Sequence, residues 1–512
     1  MKEKQGKKPL IERALSGIER VGNKLPDPAT IFVILCVFVV LISALCSSAG
    51  ISVVHPGTGE TVSVLNLFSA EGLRKMISEG VSNFANFAPM AMILVVVIGS
   101  GVAEKSGFLS CLMQKLVRGA SPKLVTAIVI FVGINANLVG DAGFVVLPPL
   151  AAMIYLGLGR HPLIGLFTAY ASVAGGFCAS LFLGLFEMQG AGFTTVAAQM
   201  LDPQASYAPT MNWYFMIASC FVLTAVGTFV TEKFVAPKFQ GSDLSVFKAE
   251  TAPETLSGQQ SKSLRPAIFS LLLTVAVIIF LSVGDNALLA DAETGQLLVS
   301  NAPFMKGLIL LITIIMFVPG AVFGFASGRY RNDKDLFSDS TAALKDMAPY
   351  ILLCFFGAQF LNYFTWSNLG TVLAVNGADF LNSINLTGIP LMLCMILLVA
   401  FLNMFMGSAS AKYAILAPIM VPMLMLLDIS PAMAQVLYRI GDSITNPLSP
   451  LFSYFPILLG YTRRYDKNAG MGTMISNMLP FSVAFFLAWV VMIIVWCLFD
   501  LPLGPGASVF LQ

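Results

Sequence analysis

Apolar runs long enough to cross a bilayer recur along this chain and constrain its fold more than any other feature of the sequence. A transmembrane helix needs about 20 mostly apolar residues. Because 57% of the residues are hydrophobic and only 11% are charged, a water-soluble fold would expose a continuous apolar surface. The sequence therefore predicts an all-α polytopic membrane protein with about nine transmembrane helices. The runs lie near residues 29 to 48, 84 to 103, 162 to 186, 214 to 235, 265 to 284, 304 to 327, 346 to 366, 431 to 460 and 474 to 499.

The positions of the basic residues predict how these helices are oriented. The N-terminal arm, residues 1 to 28, has seven Lys and Arg side chains, whereas the loop from 285 to 303 has acidic residues and no Lys or Arg. Loops rich in Lys and Arg lie on the cytoplasmic side of a membrane, so we expect a cytoplasmic N-terminus and an external C-terminus. Within the loop from 49 to 83, a helical pattern with interleaved polar residues is predicted to lie along the outer surface.

Two further apolar stretches do not fit simple crossings. Residues 124 to 158 and 388 to 428 each contain two apolar arms joined by a polar tip. An arm of about 15 residues spans roughly 22 Å as a helix, which is less than the hydrocarbon core of about 30 Å. We therefore predict two re-entrant helical hairpins, with tips at residues 135 to 143 and 403 to 412.

The two hairpin regions are related by a shift of 269 positions, without a gap. Each hairpin is followed by an interrupted membrane helix. Because the first unit starts inside and the second starts outside, the pair is predicted to form an inverted repeat, as in many alternating-access transporters. Chance similarity between apolar stretches is the alternative. The aligned pairs are Asp141 with Ser410, Ala142 with Ala411, Phe144 with Tyr413, Leu147 with Leu416, Pro149 with Pro418, Pro162 with Pro431 and Ser180 with Ser449.

The second interrupted helix carries three polar side chains at membrane depth. Arg439, Asp442 and Asn446 are spaced so that they share one face of a helix, which Pro447 and Pro450 then interrupt. An unpaired carboxylate there costs about 2.5 to 3.5 kcal/mol, so Asp442 is predicted to hold a proton or another cation. The alternative is that Arg439 and Asp442 neutralise each other and only stabilise the broken helix.

The hairpin tips offer oxygen-bearing side chains, which a hard cation such as sodium prefers as ligands. For any one of them, capping of a helix end is an equally good interpretation. Lys412 and Arg439 together would suit an anionic solute, and Tyr413 could stack on an aromatic ring or simply pack. Glu187, at the end of the first interrupted helix, could also be a solvated surface charge. The candidate cation ligands are Asn135, Asn137, Asp141, Asn403, Ser408 and Asp442.

No catalytic or nucleotide-binding pattern occurs in the sequence. The two histidines, His55 and His161, have no nucleophile, metal cluster or carboxylate pair beside them, and there is no Walker motif. We therefore expect a transport protein and not an enzyme, with no cofactor other than a sodium ion. A net charge of only +2 gives no indication of a nucleic-acid partner.

Four segments carry a family resemblance: GDAGFVVLPPLAAMIYLGLGRHPLIGL, MGSASAKYAILAPIMVPMLMLL, YRIGDSITNPLSPL and LPLGPG. They resemble the p-aminobenzoyl-glutamate transporter (AbgT) family, within the ion transporter superfamily, and the resemblance covers essentially the whole chain. It implies a homodimer whose protomer has nine transmembrane helices and two re-entrant hairpins. It also implies cation-coupled uptake of p-aminobenzoyl-glutamate, a folate breakdown product, or export of sulfonamide-type antimetabolites.

By similarity, the translocation site of the family corresponds to Ser410, Tyr413, Arg439, Asp442 and Pro450. The chain departs from the family pattern where Glu187 replaces a common Asp, Ser180 a frequent Asn, and Tyr413 a common Trp. These departures bear on the solute preference and on the coupling ion. The candidate solute-binding residues are Ser180, Glu187, Ser410, Lys412, Tyr413, Arg439, Asp442, Asn446 and Pro450.

The predicted function is a secondary transporter of the bacterial inner membrane, driven by sodium or protons. Its solute would be p-aminobenzoyl-glutamate or a relative such as p-aminobenzoate or a sulfonamide. The alternatives are an ion channel, because broken helices also line pores, and a transporter of another small anion such as a dicarboxylate. The predicted organisation is a cytoplasmic arm (1 to 28), scaffold helices (29 to 123), a first transport repeat (124 to 186), further scaffold helices and loops (187 to 387), a second transport repeat (388 to 460), and the last helix with the C-terminus (461 to 512).

Overall fold

The computed structural model describes most of the chain from residue 26 onward, and all structural statements refer to these residues. The predicted N-terminal arm up to residue 25, His55 and Asp141 lie outside them. The described ranges are 26 to 54, 59 to 118, 121, 123 to 139, 142 to 241, 244, 247, 258 to 284, 287 to 292, 294 to 297 and 302 to 511.

Helices make up nearly all of the regular structure. A small antiparallel hairpin pairs β1 (Ser52–Val54) with β2 (Thr61–Ser63), and π and 3-10 turns extend α9 through Thr231–Val235 and Ala236–Phe239. In chain order the helices are α1 (Pro28–Ser48), α2 (Ala70–Ala85), α3 (Ala88–Lys105), α4 (Phe108–Arg118), α5 (Val125–Asn135), α6 (Ala142–Gly157), α7 (Pro162–Gly175), α8 (Leu185–Ala198), α9 (Trp213–Val230), α10 (Gly258–Ser282), α11 (Pro303–Lys306), α12 (Leu308–Ala326), α13 (Asp333–Asp346), α14 (Ala348–Trp366), α15 (Leu369–Ser383), α16 (Gly388–Asn403), α17 (Ala409–Met425), α18 (Pro431–Thr445), α19 (Phe455–Tyr465) and α20 (Met471–Phe499).

The helices confirm the prediction of an all-α polytopic membrane protein. In the described part of the chain, six helical segments are long and apolar enough to cross a membrane: α1, α3 taken together with α2, α9 with its π and 3-10 extension, α10, α12 and α20. Helix α14 passes the same test as a bent pair with α13, at 44°. The two remaining predicted crossings are the interrupted helices, formed by α7 with α8 and by α18 with α19. Helix α10 exposes Phe269, Leu272 and Phe280, as expected of a helix that faces lipid.

The predicted surface helix is α2. Its first turn is capped by Ser69, whose Oγ accepts a hydrogen bond from the Gly72 N–H at 3.1 Å. Ile77 and Val81, one helical turn apart, are 84% and 79% exposed. An exposed apolar stripe of this kind suits a helix lying at a lipid boundary, while its side of the membrane stays a prediction.

The two predicted repeats have corresponding helices. Pro162 and Pro431, which are 269 positions apart, begin α7 and α18. In each unit both hairpin arms pack against the half-helix that follows them, α5 and α6 against α7, and α16 and α17 against α18. Helix α8 of the first repeat packs against α17 of the second. The units therefore share one framework and meet each other, while their opposite orientation in the membrane stays a prediction.

The first interrupted helix extends further along the chain than the sequence predicts. The apolar run was predicted to cross near residues 162 to 186, but α7 ends at Gly175, residues 176 to 184 are not helical, and α8 extends to Ala198. The side chain of Glu187 accepts a hydrogen bond from the Gly184 N–H at 2.5 Å and so caps the start of α8. Hydropathy alone missed this new start because the break is itself apolar.

The second interrupted helix breaks where the prolines predict. Ser430 caps α18 by accepting a hydrogen bond from the Met433 N–H at 3.1 Å. The helix ends at Thr445, and residues 446 to 454, which include Pro447 and Pro450, separate it from α19. The close approach of the second hairpin tip requires glycine at 407, because a Cβ there would lie 2.5 Å from the Leu451 carbonyl oxygen.

Candidate solute and cation site

A cavity of about 360 Å³ lies where the two breaks and the two hairpin tips meet. Its wall combines aromatic rings, short polar side chains and two carboxylates, those of Glu187 and Asp442. The residues that line it are Asn137, Leu138, Phe144, Phe177, Ser180, Phe182, Gly184, Leu185, Phe186, Glu187, Gln189, Gly407, Ser408, Ala409, Ser410, Asp442, Asn446, Phe452, Ser453 and Tyr454.

Asp442 is paired with a lysine of the second hairpin. Lys412 Nζ lies 2.6 Å from Asp442 Oδ1, and the two side chains are 1% and 2% exposed. Lys412 also donates to Asn403 Oδ1 and lies 3.4 Å from the Met406 carbonyl oxygen. The ammonium group therefore has an oxygen partner for each of its three protons.

The side-chain amides of Asn403 and Asn446 hold the Lys412–Asp442 ion pair in position. Asn403 Nδ2 donates to the Asp442 carbonyl oxygen and to Asn446 Oδ1, both at 2.8 Å. Asn446 Nδ2 lies 3.2 Å from Asp442 Oδ2 and 3.5 Å from the Ala174 carbonyl oxygen of the first repeat. The carboxylate thus receives a donor on each oxygen, which is what a buried charge requires.

Arg439 forms the second buried ion pair and connects the two repeats. Its Nη2 lies 2.5 Å from Glu187 Oε1, and the two side chains are 2% and 6% exposed. The guanidinium also lies over the Phe186 ring, 5.3 Å from its centroid. Within the described residues, Arg439 Nε and Nη1 have no hydrogen-bond partner. Removing one member of such a pair leaves an uncompensated buried charge.

These pairings correct two interpretations drawn from the sequence. Arg439 and Asp442 do not neutralise each other, because each has a different partner. Glu187 is not a solvated surface charge; it is buried and opens α8. In both cases the partner comes from another element, Glu187 from α8 for Arg439 and Lys412 from α17 for Asp442.

Further polar contacts cross between the repeats. Ser410 Oγ donates to Gln189 Oε1, and the hydroxyl groups of Tyr413 and Thr194 lie 2.6 Å apart. The Tyr413 ring is fully buried and packs against Tyr438 with centroids 4.4 Å apart. Tyr413 is therefore a packing residue in this structure, and its ring does not face the cavity.

The asparagine side chains at the tip of the first hairpin form hydrogen bonds within the first repeat. Asn135 Oδ1 accepts from the Leu181 N–H at 2.9 Å and from Ser180 Oγ at 3.4 Å. Asn137 Nδ2 donates to the Ile134 carbonyl oxygen at 3.3 Å. In the second hairpin, Ser408 Oγ accepts from the Ala411 N–H at 3.3 Å, so Ser408 has the helix-capping role that the sequence left open.

The predicted site residues divide into a wall and a layer behind it. The wall is shared by both repeats, whereas the layer behind it contains both cationic side chains. Residues of the wall are Asn137, Ser180, Glu187, Ser408, Ser410, Asp442 and Asn446. Predicted residues that do not line the cavity are Asn135, Asn403, Lys412, Tyr413, Arg439 and the half-buried Pro450.

Sequence reasoning missed the aromatic part of the wall. Phe144 from the first repeat stacks on Tyr454 from the second with centroids 4.0 Å apart and an interplanar angle of 1°. Phe452 meets Phe144 edge to face at 5.4 Å. These rings lie beside the irregular backbone of the hairpin tip and the second break. That position is the only feature of the sequence that could have marked them as part of the cavity wall. Gln189 and Thr194 were missed because the first helix was predicted to end before them.

The sequence matches one family over almost its whole length. A sequence model of the AbgT putative transporter family matches residues 13 to 511. The chain is also 38% identical over 492 residues to the p-aminobenzoyl-glutamate transport protein of Escherichia coli (strain K12), an alignment that covers 96% of this chain and 95% of that protein.

Two solved structures share the fold. The YdaH transporter of Alcanivorax borkumensis, described as having an unusual topology, matches with a TM-score of 0.88 and 38% identity, over 94% of this chain and 100% of that one. MtrF of Neisseria gonorrhoeae, described as illuminating a class of antimetabolite efflux pumps, matches with a TM-score of 0.88 and 38% identity, over 97% of this chain and 100% of that one.

Proposed function

Because this chain belongs to the AbgT transporter family, we propose that it is a cation-coupled secondary transporter of p-aminobenzoyl-glutamate or related aromatic solutes. It is a multi-pass membrane transport protein and not an enzyme. The proposal adds the coupling ion, sodium or a proton, the bacterial inner membrane, a homodimeric assembly, and p-aminobenzoate and sulfonamides as alternative solutes.

The observation that carries this proposal is the cavity between the repeats. Its volume of about 360 Å³ lies within the range of small-molecule sites, about 300 to 1,000 Å³. Phe144, Phe452 and Tyr454 offer flat surfaces for an aromatic ring. Ser180, Ser410 and Asn446 offer short polar groups that could orient amide or carboxylate groups of the solute.

The charges of the wall favour coupling to a cation. Among the described residues that line the cavity, the charged ones are Glu187 and Asp442, and both are acidic. Their partners Arg439 and Lys412 are buried behind them. A solute carboxylate entering this cavity meets negative charge at short range, which is unfavourable at low dielectric constant. A cation that binds with the solute removes this cost.

The decisive experiment is uptake of radiolabelled p-aminobenzoyl-glutamate into proteoliposomes, with sodium and pH gradients imposed separately. We expect one of the gradients to drive accumulation. The Asp442→Asn protein should lose gradient-driven uptake because it lacks the carboxylate that the cation needs.

The matched control is Asp428→Asn, which changes an exposed carboxylate of the same repeat. Asp428 has a φ of +60°, a conformation that asparagine tolerates, so this variant should transport normally. Unchanged uptake by Asp442→Asn would refute the role given to that carboxylate. Absence of uptake by the unaltered protein under either gradient would refute the solute.

A further inference from the structure

Lys412 is held in the manner of a bound metal cation. Its ammonium contacts a carboxylate oxygen of Asp442 at 2.6 Å, the amide oxygen of Asn403, and the main-chain oxygen of Met406 at 3.4 Å. Carboxylate, amide and main-chain carbonyl oxygens are the ligands that hard cations such as sodium prefer. The side chain therefore occupies a set of oxygen atoms that a small cation could use.

Asp442 is the member of this group that solutes and ions can reach. It lines the cavity, whereas Lys412 and Asn403 do not. A cation that enters from the cavity therefore meets the Asp442 carboxylate first, with Lys412 already bound on the other side.

The surroundings provide no second negative charge for an additional cation. The ring of Tyr438 lies 5.7 Å from Lys412 Nζ. The neighbouring carboxylate, Glu187, already binds Arg439 with one oxygen and the Gly184 N–H with the other. Within the described residues, Asp442 is thus the single carboxylate available to two cations.

From this arrangement we propose that Lys412 is a resident cation that competes with the coupling cation for Asp442. The inference rests on the proposed cation-coupled function. When a proton or a sodium ion binds Asp442, Lys412 loses its counter-ion and, as the ammonium ion, becomes an unpaired positive charge behind the wall. That charge then attracts the solute carboxylate, so the cation binds before the anion.

The Arg439 and Glu187 pair does not have this role. A guanidinium keeps its charge under all ordinary conditions and binds in a fixed planar geometry, and both Glu187 oxygens are already engaged. A lysine is a compact charge on a flexible stem. Lys412 can therefore move away from its partner, whereas Arg439 holds the two repeats together.

The test uses purified full-length protein in detergent and requires no solute. Thermal unfolding is followed while sodium chloride replaces choline chloride at constant ionic strength, and separately over a pH series. Lys412→Met keeps the unbranched chain up to the ε position and removes the charged ammonium group, so Asp442 is left open to the added cation. We expect this variant to respond to sodium at about tenfold lower concentration than the unaltered protein, or to protons at about tenfold lower activity.

The double variant Lys412→Met with Asp442→Asn is the control, and it should lose both the sodium response and the shifted proton response of Lys412→Met, keeping only the pH dependence that comes from other groups. Rescue of a poorly folded Lys412→Met protein by sodium or by low pH would also support the proposal. Equal responses of Lys412→Met and the unaltered protein would overturn it, as would a double variant that keeps the sodium response or the shifted proton response of Lys412→Met. A Lys412→Met protein that folds under no condition, while the double variant folds, would show that no small cation can take the place of Lys412. If uptake assays show that p-aminobenzoyl-glutamate is not transported, the outcomes of these unfolding measurements are unaffected, because they require no solute.

Discussion

The two repeats share one arrangement of helices, yet among the described residues three of the four buried charges of the site, those of Lys412, Arg439 and Asp442, belong to the second. At three positions where the second repeat is charged, the first repeat has an uncharged residue. Among the described residues that line the cavity, the first repeat contributes one charged side chain, Glu187. The corresponding pairs are Lys412 with Gly143, Arg439 with Tyr170, and Asp442 with Val173.

This difference separates the framework from the chemistry. Prolines and caps at the same places, such as Pro162 and Pro431, produce the same broken helices in both units. The charges are not needed for that shape, because the first repeat adopts it with Tyr170 and Val173 fully buried in apolar surroundings. The ionic groups of the second repeat are therefore a specialisation for binding, and they are costly for stability if left unpaired.

The strongest test of this comparison is a pair of substitutions at corresponding positions. Arg439→Met leaves the buried Glu187 carboxylate without its partner and should lower the free energy of unfolding by about 3 to 5 kcal/mol. Tyr170→Phe removes a buried hydroxyl group that has no hydrogen-bond partner among the described residues, so the free energy of unfolding should stay the same or rise. Thermal and denaturant unfolding in detergent measure both.

A second substitution controls for the loss of side-chain packing. Glu187→Gln combined with Arg439→Met removes both charges and keeps an acceptor for the Gly184 N–H. This double variant should regain most of the stability that Arg439→Met loses. Equal destabilisation by Arg439→Met and Tyr170→Phe would contradict the conclusion that the second repeat contains a buried charge whose loss is costly at a position where the first repeat does not.

A smaller effect is expected at the aromatic residues that correspond, Tyr413 and Phe144. Tyr413 adds a hydroxyl that bonds to Thr194 across the repeats, and Phe144 has none. Tyr413→Phe should therefore cost about 1 kcal/mol of unfolding free energy. In a double-mutant cycle, Tyr413→Phe and Thr194→Val should be less than additive, and strict additivity would argue against the contact.

The smallest effect concerns the caps of the two corresponding half-helices, His161 and Ser430. His161 Nδ1 accepts a hydrogen bond from the Leu163 N–H at 3.2 Å, which requires an unprotonated nitrogen. Burial lowers the pKa of His161, and the charge of Asp466 only partly opposes this. Since the folded protein resists protonation, stability should be complete above the ordinary histidine pKa of about 6.5 and fall as the pH decreases below it.

The measurement is the melting temperature across this pH range. Loss of a helix cap costs about 0.5 to 2 kcal/mol, so the decline should be modest. His161→Ser, which copies the cap of the second repeat, should flatten the profile. A profile that His161→Ser leaves unchanged would assign the pH dependence to other groups.

Hydropathy predicted most of the long helices, because a spanning run must be apolar over nearly its whole length. It missed α4, α13 and α15, which are too short or too polar to register as spans. The break before α19 was predictable from Pro447 and Pro450, since proline cannot continue the hydrogen-bond ladder. The break before α8 has no proline, and only the capping Glu187 marks it.

The residue types of the site were predictable from the sequence, whereas the pairing of its charged side chains was not. The sequence predicts Asp442, Arg439 and Lys412 as site residues of the second repeat, and the structure buries all three. Which charges pair did not follow, because spacing along a helix defines a shared face and gives no information about what packs against that face.

The sequence by itself determined the membrane class, the break at Pro447 and the family, and it predicts the internal repeat. Only the tertiary structure decided that Glu187 binds Arg439, 252 positions away, and that Lys412 binds Asp442 in place of facing the cavity. The reason is that a buried charge must find its partner in three dimensions, and the partner depends on how the half-helices of the two repeats pack against each other.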